Sequence, residues 1–400
     1  MTLDHVRSLS GGINQMGVRA YNERLVLSIL QRNGALPGSD LARRTGLSPQ
    51  TTSVILRKLE QDGLLNKGDP VKGKVGKPSV PFALNADGVF SVGLKIGRRS
   101  ADLVVLDMQG QIRHQLRQTY DYPLPDTVFA FLRSGYDTLM QEMPETMRAR
   151  LCGVGIAAPF EMWSWHELLD APPDDFAAWR DADFVHEVAQ ISDLPVHMTN
   201  DATAACRAEH VFGIGREYRD YVYFFLGAFI GGGIVLDHAV FEGNQRNAGA
   251  FGTLPVADLT GKPGHLIDLA SVRTLERRLI EAGADPRQLW HRPQDWTALE
   301  RFVAPWLEQT ADALAIASVA ACAVIDFEAV VIDGAMPPAV RKRLVAATRA
   351  RLATKDMRGL IPPVTVEGHI GGNARGIGAA TAPIMNQLML NRSAALFDHG

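Results

Sequence analysis

Cysteine is scarce: Cys152, Cys206 and Cys322 are the three in 400 residues, far apart and odd in number. That excludes a disulfide framework and a Cys-x-x-Cys zinc site, and suits small buried hydrophobes in a reducing compartment. No unbroken apolar run is long enough to cross a bilayer. Met1–Gln15 lacks the basic-then-apolar pattern of an export signal. A cytoplasmic protein without a membrane partner is therefore expected. Net charge is also small, −3, but unevenly spread. Residues 1–85 hold twelve Lys/Arg and six Asp/Glu, a charge of +6; the other 29 Lys/Arg and 38 Asp/Glu give −9. A small basic module on a larger acidic one suits nucleic-acid contact at one end. Four hundred residues suggest two or three domains.

Residues 1–20 have little pattern and read as an arm, followed by a winged helix-turn-helix over 21–85. Tyr21–Arg32 places Leu25, Ile29 and Leu30 on one helical stripe, and Asn33-Gly34 ends it. Ser39 suits an N-cap for a second helix, Asp40–Thr45, and Gly46-Leu47-Ser48 makes the turn. Ser48 caps a third helix with Pro49 in its first turn, running to about Gln61. Ala42, Leu47, Val54, Ile55 and Leu59 supply the expected small core. Ser48, Pro49, Gln50, Thr51, Thr52 and Ser53 form the start of a recognition helix that reaches base edges or phosphates, with Arg57 and Lys58 as phosphate partners. The run Val71–Pro78 carries Lys72, Lys74 and Lys77 between two glycines, a basic wing tip suited to the DNA backbone. Pro81–Leu84 is the return strand.

From about Asn85 strands alternate with helices. Phe90–Ile96, Leu103–Leu106 and a third strand through Tyr120 form a meander, followed by a helix from Thr127 to about Met143. Gly153–Pro159 and Pro195–Met198 are strands, and a helix over Ala202–Val211 follows Thr199-Asn200-Asp201. A second copy begins at Tyr221–Leu226, passes a glycine-rich turn Gly227–Gly233, and continues through Leu307–Val324, Val330–Gly334, Val364–Gly368 and a last helix from Ala374 to about Leu388. The repeat suggests a duplicated α/β body over 86–400 with a cleft between two lobes.

On these residues the chain resembles the ROK family (repressors, open reading frames and sugar kinases), in its winged-helix branch of the N-acetylglucosamine and xylose repressor type. The anchors are Gly153–Pro159, Thr199-Asn200-Asp201-Ala202, Leu226–Gly233, Asn247-Ala248-Gly249 and Asp326–Gly334. The resemblance implies a two-lobed actin/hexokinase-like body, duplicated and ribonuclease H-like. It also implies chemistry this chain partly lacks. Where the family has Asp-x-Gly-x-Thr, this sequence has Lys95-Ile96-Gly97-Arg98-Arg99; a cation there disfavours Mg²⁺. Ala228 and Phe229 replace the Thr and Gly of the second loop. Asp201 matches the family's general base and Asn200 its neighbouring sugar ligand, although either also suits a helix cap. The Glu-x-Gly-His motif has become Ala250-Phe251-Gly252-Thr253. The cysteine zinc cluster has become Asp258–Ile267, where Asp258 and His265 are too few to close a zinc site. No metal and no cofactor is expected.

Phosphoryl transfer needs positioning and electrostatic stabilisation, and much of both is missing, so no enzyme is expected. Two readings of the cleft stand side by side. In one, Asn200, Asp201, Gly252, Thr253 and His265, with Lys95, Arg98 and Arg99, hold a sugar or an anionic derivative such as a sugar phosphate. In the other, Lys95 pairs with Asp201 and the body is a dimerisation scaffold. The expected function is a DNA-binding regulator, a dimer or tetramer that represses sugar transport or catabolism genes from double-stranded operator DNA. The alternatives are a carbohydrate kinase with a DNA-binding domain and a ligand-independent DNA binder.

Overall fold

The computed structural model of the chain describes residues 15–70, 79–164 and 173–390. Helix α1 (Gln15–Asn33) begins before the expected Tyr21 and ends at Asn33-Gly34. Val26, Leu27 and Leu30 are buried in the head. Leu25 and Ile29, expected in that stripe, are only part-buried and line a cavity against the body. Helix α2 (Gly38–Thr45) has Pro37 at its N-cap, not Ser39 as expected, and no side chain caps it. Gly46, at φ +70°, makes the left-handed step that a side chain would resist, leading to α3 (Pro49–Gln61). Ser48 caps α3 as expected: its Oγ accepts from the Thr51 N–H at 3.1 Å. Strands Leu36–Pro37, Pro81–Leu84 and Leu65–Lys67, in that spatial order, complete the head.

The body repeats one sheet twice. The first runs Ile112–Thr119, Ser100–Asp107, Phe90–Ile96, Leu151–Ala158, Val196–Asn200. The second runs Ala239–Phe241, Ile230–Leu236, Tyr221–Leu226, Ala329–Gly334, Val364–Glu367. In both, three antiparallel strands are extended by two parallel ones. Phe90–Ile96 and Tyr221–Leu226 are buried along their whole length, as near-continuous apolar strands covered on both faces should be. Ile112–Thr119, an edge strand, alternates between part-buried and exposed positions.

Helices Asp201–Phe212 and Ala374–Leu388 lie between the sheets. Ala205, Cys206, Ile377 and Ala380 share a core with Val104 of the first sheet and Tyr223 of the second. Small residues make this possible: a Cβ on Gly378 would stand 1.7 Å from the Ala204 carbonyl oxygen. The expected glycine turn over 227–233 needs correction for the same reason. Gly231, Gly232 and Gly233 belong to strand Ile230–Leu236. Added Cβ atoms there would meet Ala202 Cβ at 2.7 Å, the Tyr223 carbonyl at 2.3 Å and Cys206 Cβ at 2.4 Å, so Gly231 and Gly233 admit helix Asp201–Phe212 and Gly232 admits the neighbouring strand.

Helix Ala374–Leu388 also reaches the head. Leu388 and Met389 pack with the head core, which buries Met108 of the first lobe as well. The Leu390 N–H donates to Ser28 Oγ of α1 at 2.9 Å. At 1.5 Å per residue this helix is a rod of about 22 Å from the cleft to the head. Among the described residues one helix, Thr297–Val324, is long and apolar enough by length and composition to cross a bilayer, although Glu308 and Asp312 interrupt its apolar run. Trp306, Ala311 and Leu314 bury it in the second lobe's core.

Candidate functional site

Two regions hold the expected site residues. On the head, Ser48, Pro49, Gln50, Thr51, Ser53 and Arg57 are exposed along α3, where the Ser48 cap and Pro49 fix the helix start. Thr52 departs from expectation: it is 1% exposed and faces the head core. Val54, expected in that core, is 55% exposed on the same face as Gln50 and Arg57. A 3.6-residue period places 50, 54 and 57 together, and the signal was there in the spacing. An exposed valine on such a face matches the thymine methyl of the major groove. Lys58 turns back, pairing with Asp62 at 2.7 Å and Glu23 at 3.7 Å; its hydrogen bond to Asp62 raises its pKa. Lys72, Lys74 and Lys77 lie outside the described residues.

In the cleft, the charged residues find partners within the chain. Lys95 does not pair with Asp201. It stands directly opposite Asp102 on the neighbouring strand, and Asp102 stands opposite Arg117 on the next. Lys95 Nζ donates to Asp102 Oδ2 at 2.9 Å and to the Ser100 carbonyl and hydroxyl at 3.0 Å. Arg117 Nε lies 2.8 Å from the other Asp102 oxygen. Burial pulls the Lys95 amine down to about 8, opposed by Asp102. Burial pushes the Asp102 carboxyl up, but Lys95 and Arg117 outweigh it and hold it below its usual range.

Arg98 and Arg99, on the loop after Lys95, cross the cleft. They meet Glu276 of helix Val272–Glu281 at 2.6 Å and 2.5 Å, and Glu276 is 2% exposed. The start of that helix is closed as well: the Val272 and Arg273 N–H groups donate to the Gly227 and Ala228 carbonyls at 3.1 Å. Donors that elsewhere receive an anion at a helix N-terminus are thus spent on backbone. Arg273 also lies 5.7 Å from the Phe229 ring centroid.

Asn200 acts as the cap of helix Asp201–Phe212, accepting from the Ala202 and Thr203 N–H groups at 2.9 and 3.2 Å. Asp201 pairs with Arg375 at 3.1 Å, and that guanidinium sits 5.1 Å from the Phe225 ring centroid. Gly252 is buried, and the Thr253 hydroxyl donates to the Ala250 carbonyl. His265 is exposed, 3.8 Å from Asp268. Asp258 Oδ1 accepts from Thr260 and Lys262 and closes the hairpin of Pro255–Ala257 and Pro263–His265, where the resembled family carries its cysteines. No group of three metal-ligating side chains occurs among the described residues. Asp102, Arg117, Glu276 and Arg375 went unnoticed in the sequence, since each is defined by a partner distant in the chain or across a strand register.

Two lobes built on one repeated sheet, beneath a winged helix with a polar exposed face, define a sugar-kinase-like body joined to a DNA-binding head. The chain belongs to the ROK family: that family's model matches residues 91–382, and a winged helix-turn-helix DNA-binding model matches 19–66. It is similar to the uncharacterized protein y4fQ of Sinorhizobium fredii, at 26% identity over 366 residues and 91% of each chain. It is also similar to the xylose repressor of Bacillus subtilis, at 22% identity over 243 residues, 61% of this chain and 62% of that one. Among solved structures, a ROK family transcriptional regulator, a homolog of the E. coli MLC protein, superposes with a TM-score of 0.64 at 18% identity, covering 93% of this chain and 98% of the other. A ROK glucokinase from Streptomyces griseus in complex with glucose and AMPPNP superposes at 0.56 with 21% identity, over 73% of this chain and 98% of that one. The fold is thus shared with both regulators and kinases.

Proposed function

We propose that this chain is a sequence-specific DNA-binding regulator, a repressor of sugar uptake or catabolism genes, that works as a homodimer and does not transfer phosphate. The observation that carries this reading is the pairing of Arg98 and Arg99 with Glu276, which ties down the loop that the family resemblance matches to the kinases' Asp-x-Gly-x-Thr. The exposed row of Gln50, Thr51, Ser53, Val54 and Arg57 supports the DNA half of the reading. So do the printed names of relatives, which include the Bacillus subtilis xylose repressor and the Escherichia coli N-acetylglucosamine repressor.

The effector is a carbohydrate held at the cleft's polar edge, by Asp201 and the exposed Thr253 and His265. Its binding changes lobe closure, and helix Ala374–Leu388 carries the change from Arg375 to the head core. A ligand moves that equilibrium only by its differential affinity for the two arrangements. In the dimer, two heads read half-sites of a palindrome.

The test is duplex binding by the purified chain beside a coupled assay with ATP, Mg²⁺ and a sugar panel. Gln50→Ala is expected to relax base preference by about 1–3 kcal/mol at one position, while Lys74→Ala weakens binding to all duplexes and flattens the salt dependence. Sugar phosphorylation abolished by Asp201→Asn, with no duplex binding at low salt, overturns the proposal.

A further inference from the structure

A cavity of about 1200 Å³ lies outside the cleft, where the head meets the body. The C-terminal half of α1 forms one wall. Strand Val196–Asn200, helix Asp201–Phe212, the hairpin after Leu236 and the end of helix Ala374–Leu388 form the other. Lys95, Arg98, Asp201 and Arg375 do not line it.

Its charge is one-sided. Arg32, Arg44, Arg207, Arg216 and Arg246 line it against a single carboxylate, Glu242, which Arg207 already takes at 2.5 Å. Arg216 and Arg246 make no ion pair among the described residues. Four of the five, all but Arg207, are exposed, so together they present a positive rim that suits an anion.

The backbone here is unusual too. Asp237, His238 and Arg246 have φ of 48°, 59° and 53°, the left-handed region, which Asp and His enter more readily than most residues and arginine reluctantly. At the hairpin turn Asp237-His238 a pair such as Asn-Gly is the easier choice. The turn sets the His238 ring against the Arg32 guanidinium of α1, within 2.5 to 2.7 Å. On the same lining, His197 Nε2 and Arg207 Nη1 are buried without a hydrogen-bond partner. Burial and the neighbouring arginines hold His197, His210 and His238 below their usual pKa.

We propose that this junction binds a small anionic metabolite bearing a phosphate or carboxylate group, and that its occupancy sets how the head is held on the body. Guanidinium forks on both walls suit bidentate recognition of such oxyanions. Because Arg32 and Arg44 belong to the head while Arg207, Arg216 and Arg246 belong to the body, an anion between them ties the two parts together. This site is separate from the carbohydrate reading of the cleft; only its effect on operator affinity rests on the head binding DNA. The phosphates of the DNA backbone offer the same oxyanion chemistry, so the test separates the two sources.

The experiment follows thermal unfolding of the full chain at constant ionic strength with inorganic phosphate, glucose 6-phosphate, gluconate or glucose. It uses the unaltered protein, the double variant Arg216→Gln/Arg246→Gln, and Asp201→Asn. An anion at a hundredfold excess over its Kd is expected to raise Tm by about 3 °C through the junction, whereas any rise from glucose through the cleft survives in the double variant. The double variant loses this rise and Asp201→Asn keeps it. The same anion changes operator affinity by about tenfold, whereas the head's binding to duplex DNA without ligand tests the regulator reading by itself. The proposal falls if no anion raises Tm, or if the rise survives in the double variant and vanishes in Asp201→Asn. It falls equally if the double variant weakens ligand-free duplex binding and flattens its salt dependence, since DNA phosphate is then the occupant.

Discussion

Position 95 shows how a single exchange is absorbed. A lysine standing where the family has a carboxylate meets Asp102 and, through it, Arg117, because the three face one another across adjacent strands. Lys95 and Asp102 are 5% and 6% exposed, so each charge depends on the other. Asp102→Asn leaves the ammonium buried without its counterion and is expected to cost about 3–5 kcal/mol in urea unfolding. The double change Lys95→Met/Asp102→Leu should recover most of that; a double variant as unstable as the single one would contradict a charge-based account. His210 gives a pH prediction. Burial pulls its ring down to about 4 from the usual 6.5, although its Nε2 is bonded to the His238 carbonyl at 2.9 Å. Since the folded pKa is depressed, the contribution is complete above pH 6.5 and is lost as pH falls through 4. His197 and His238 are shifted the same way. A loss of about 1–3 kcal/mol across that window is expected from His210. His210→Gln should flatten the dependence of the urea midpoint on pH over the same interval.

At the scale of elements, helix Ala374–Leu388 joins cleft and head through close packing, and two of its glycines make opposite predictions. A methyl on Gly378 meets the Ala204 carbonyl oxygen at 1.7 Å, and backbone cannot move aside cheaply. Gly378→Ala should therefore destabilise by about 1–3 kcal/mol or more. A methyl on Gly376 finds Val104 Cγ1 at 3.6 Å, an ordinary contact, so Gly376→Ala should stabilise by about 0.5–1 kcal/mol through helix propensity. Equal effects of the two on Tm would refute the packing argument. The same contrast explains what was legible in the sequence. Phe90–Ile96 and Tyr221–Leu226 could be read to the residue, and Ala374–Leu388 closely, because apolar runs between turn signals define them locally. Gly231–Gly233 could not, since glycine marks a turn and a close approach alike, and Ala202, Tyr223 and Cys206 arrive only in the folded chain. In the cleft, the missing family carboxylates were visible at once. Their replacements were not: Glu276 lies 178 residues beyond Arg98 and nothing local announces their meeting.

For the whole molecule, control of DNA binding requires two arrangements close in free energy. A tenfold change in operator affinity corresponds to about 1.4 kcal/mol. The pairing of Arg98 and Arg99 with Glu276 joins a loop of the first lobe to a helix of the second, so under the proposed regulation it biases lobe closure. Glu276→Gln keeps the shape of the side chain, removes its charge and leaves two guanidinium groups facing each other near a 2% exposed position. Closure is then disfavoured without any ligand. The expected result is an operator affinity altered by about tenfold in the absence of sugar, a smaller further change when sugar is added, and no gain of ATP turnover. Mobility-shift titration with a sugar series reads both quantities. Were Glu276→Gln to lower Tm yet leave operator affinity and its response to sugar unchanged, the pairing would serve stability alone, and the signal between cleft and head would have to travel by another route than lobe closure.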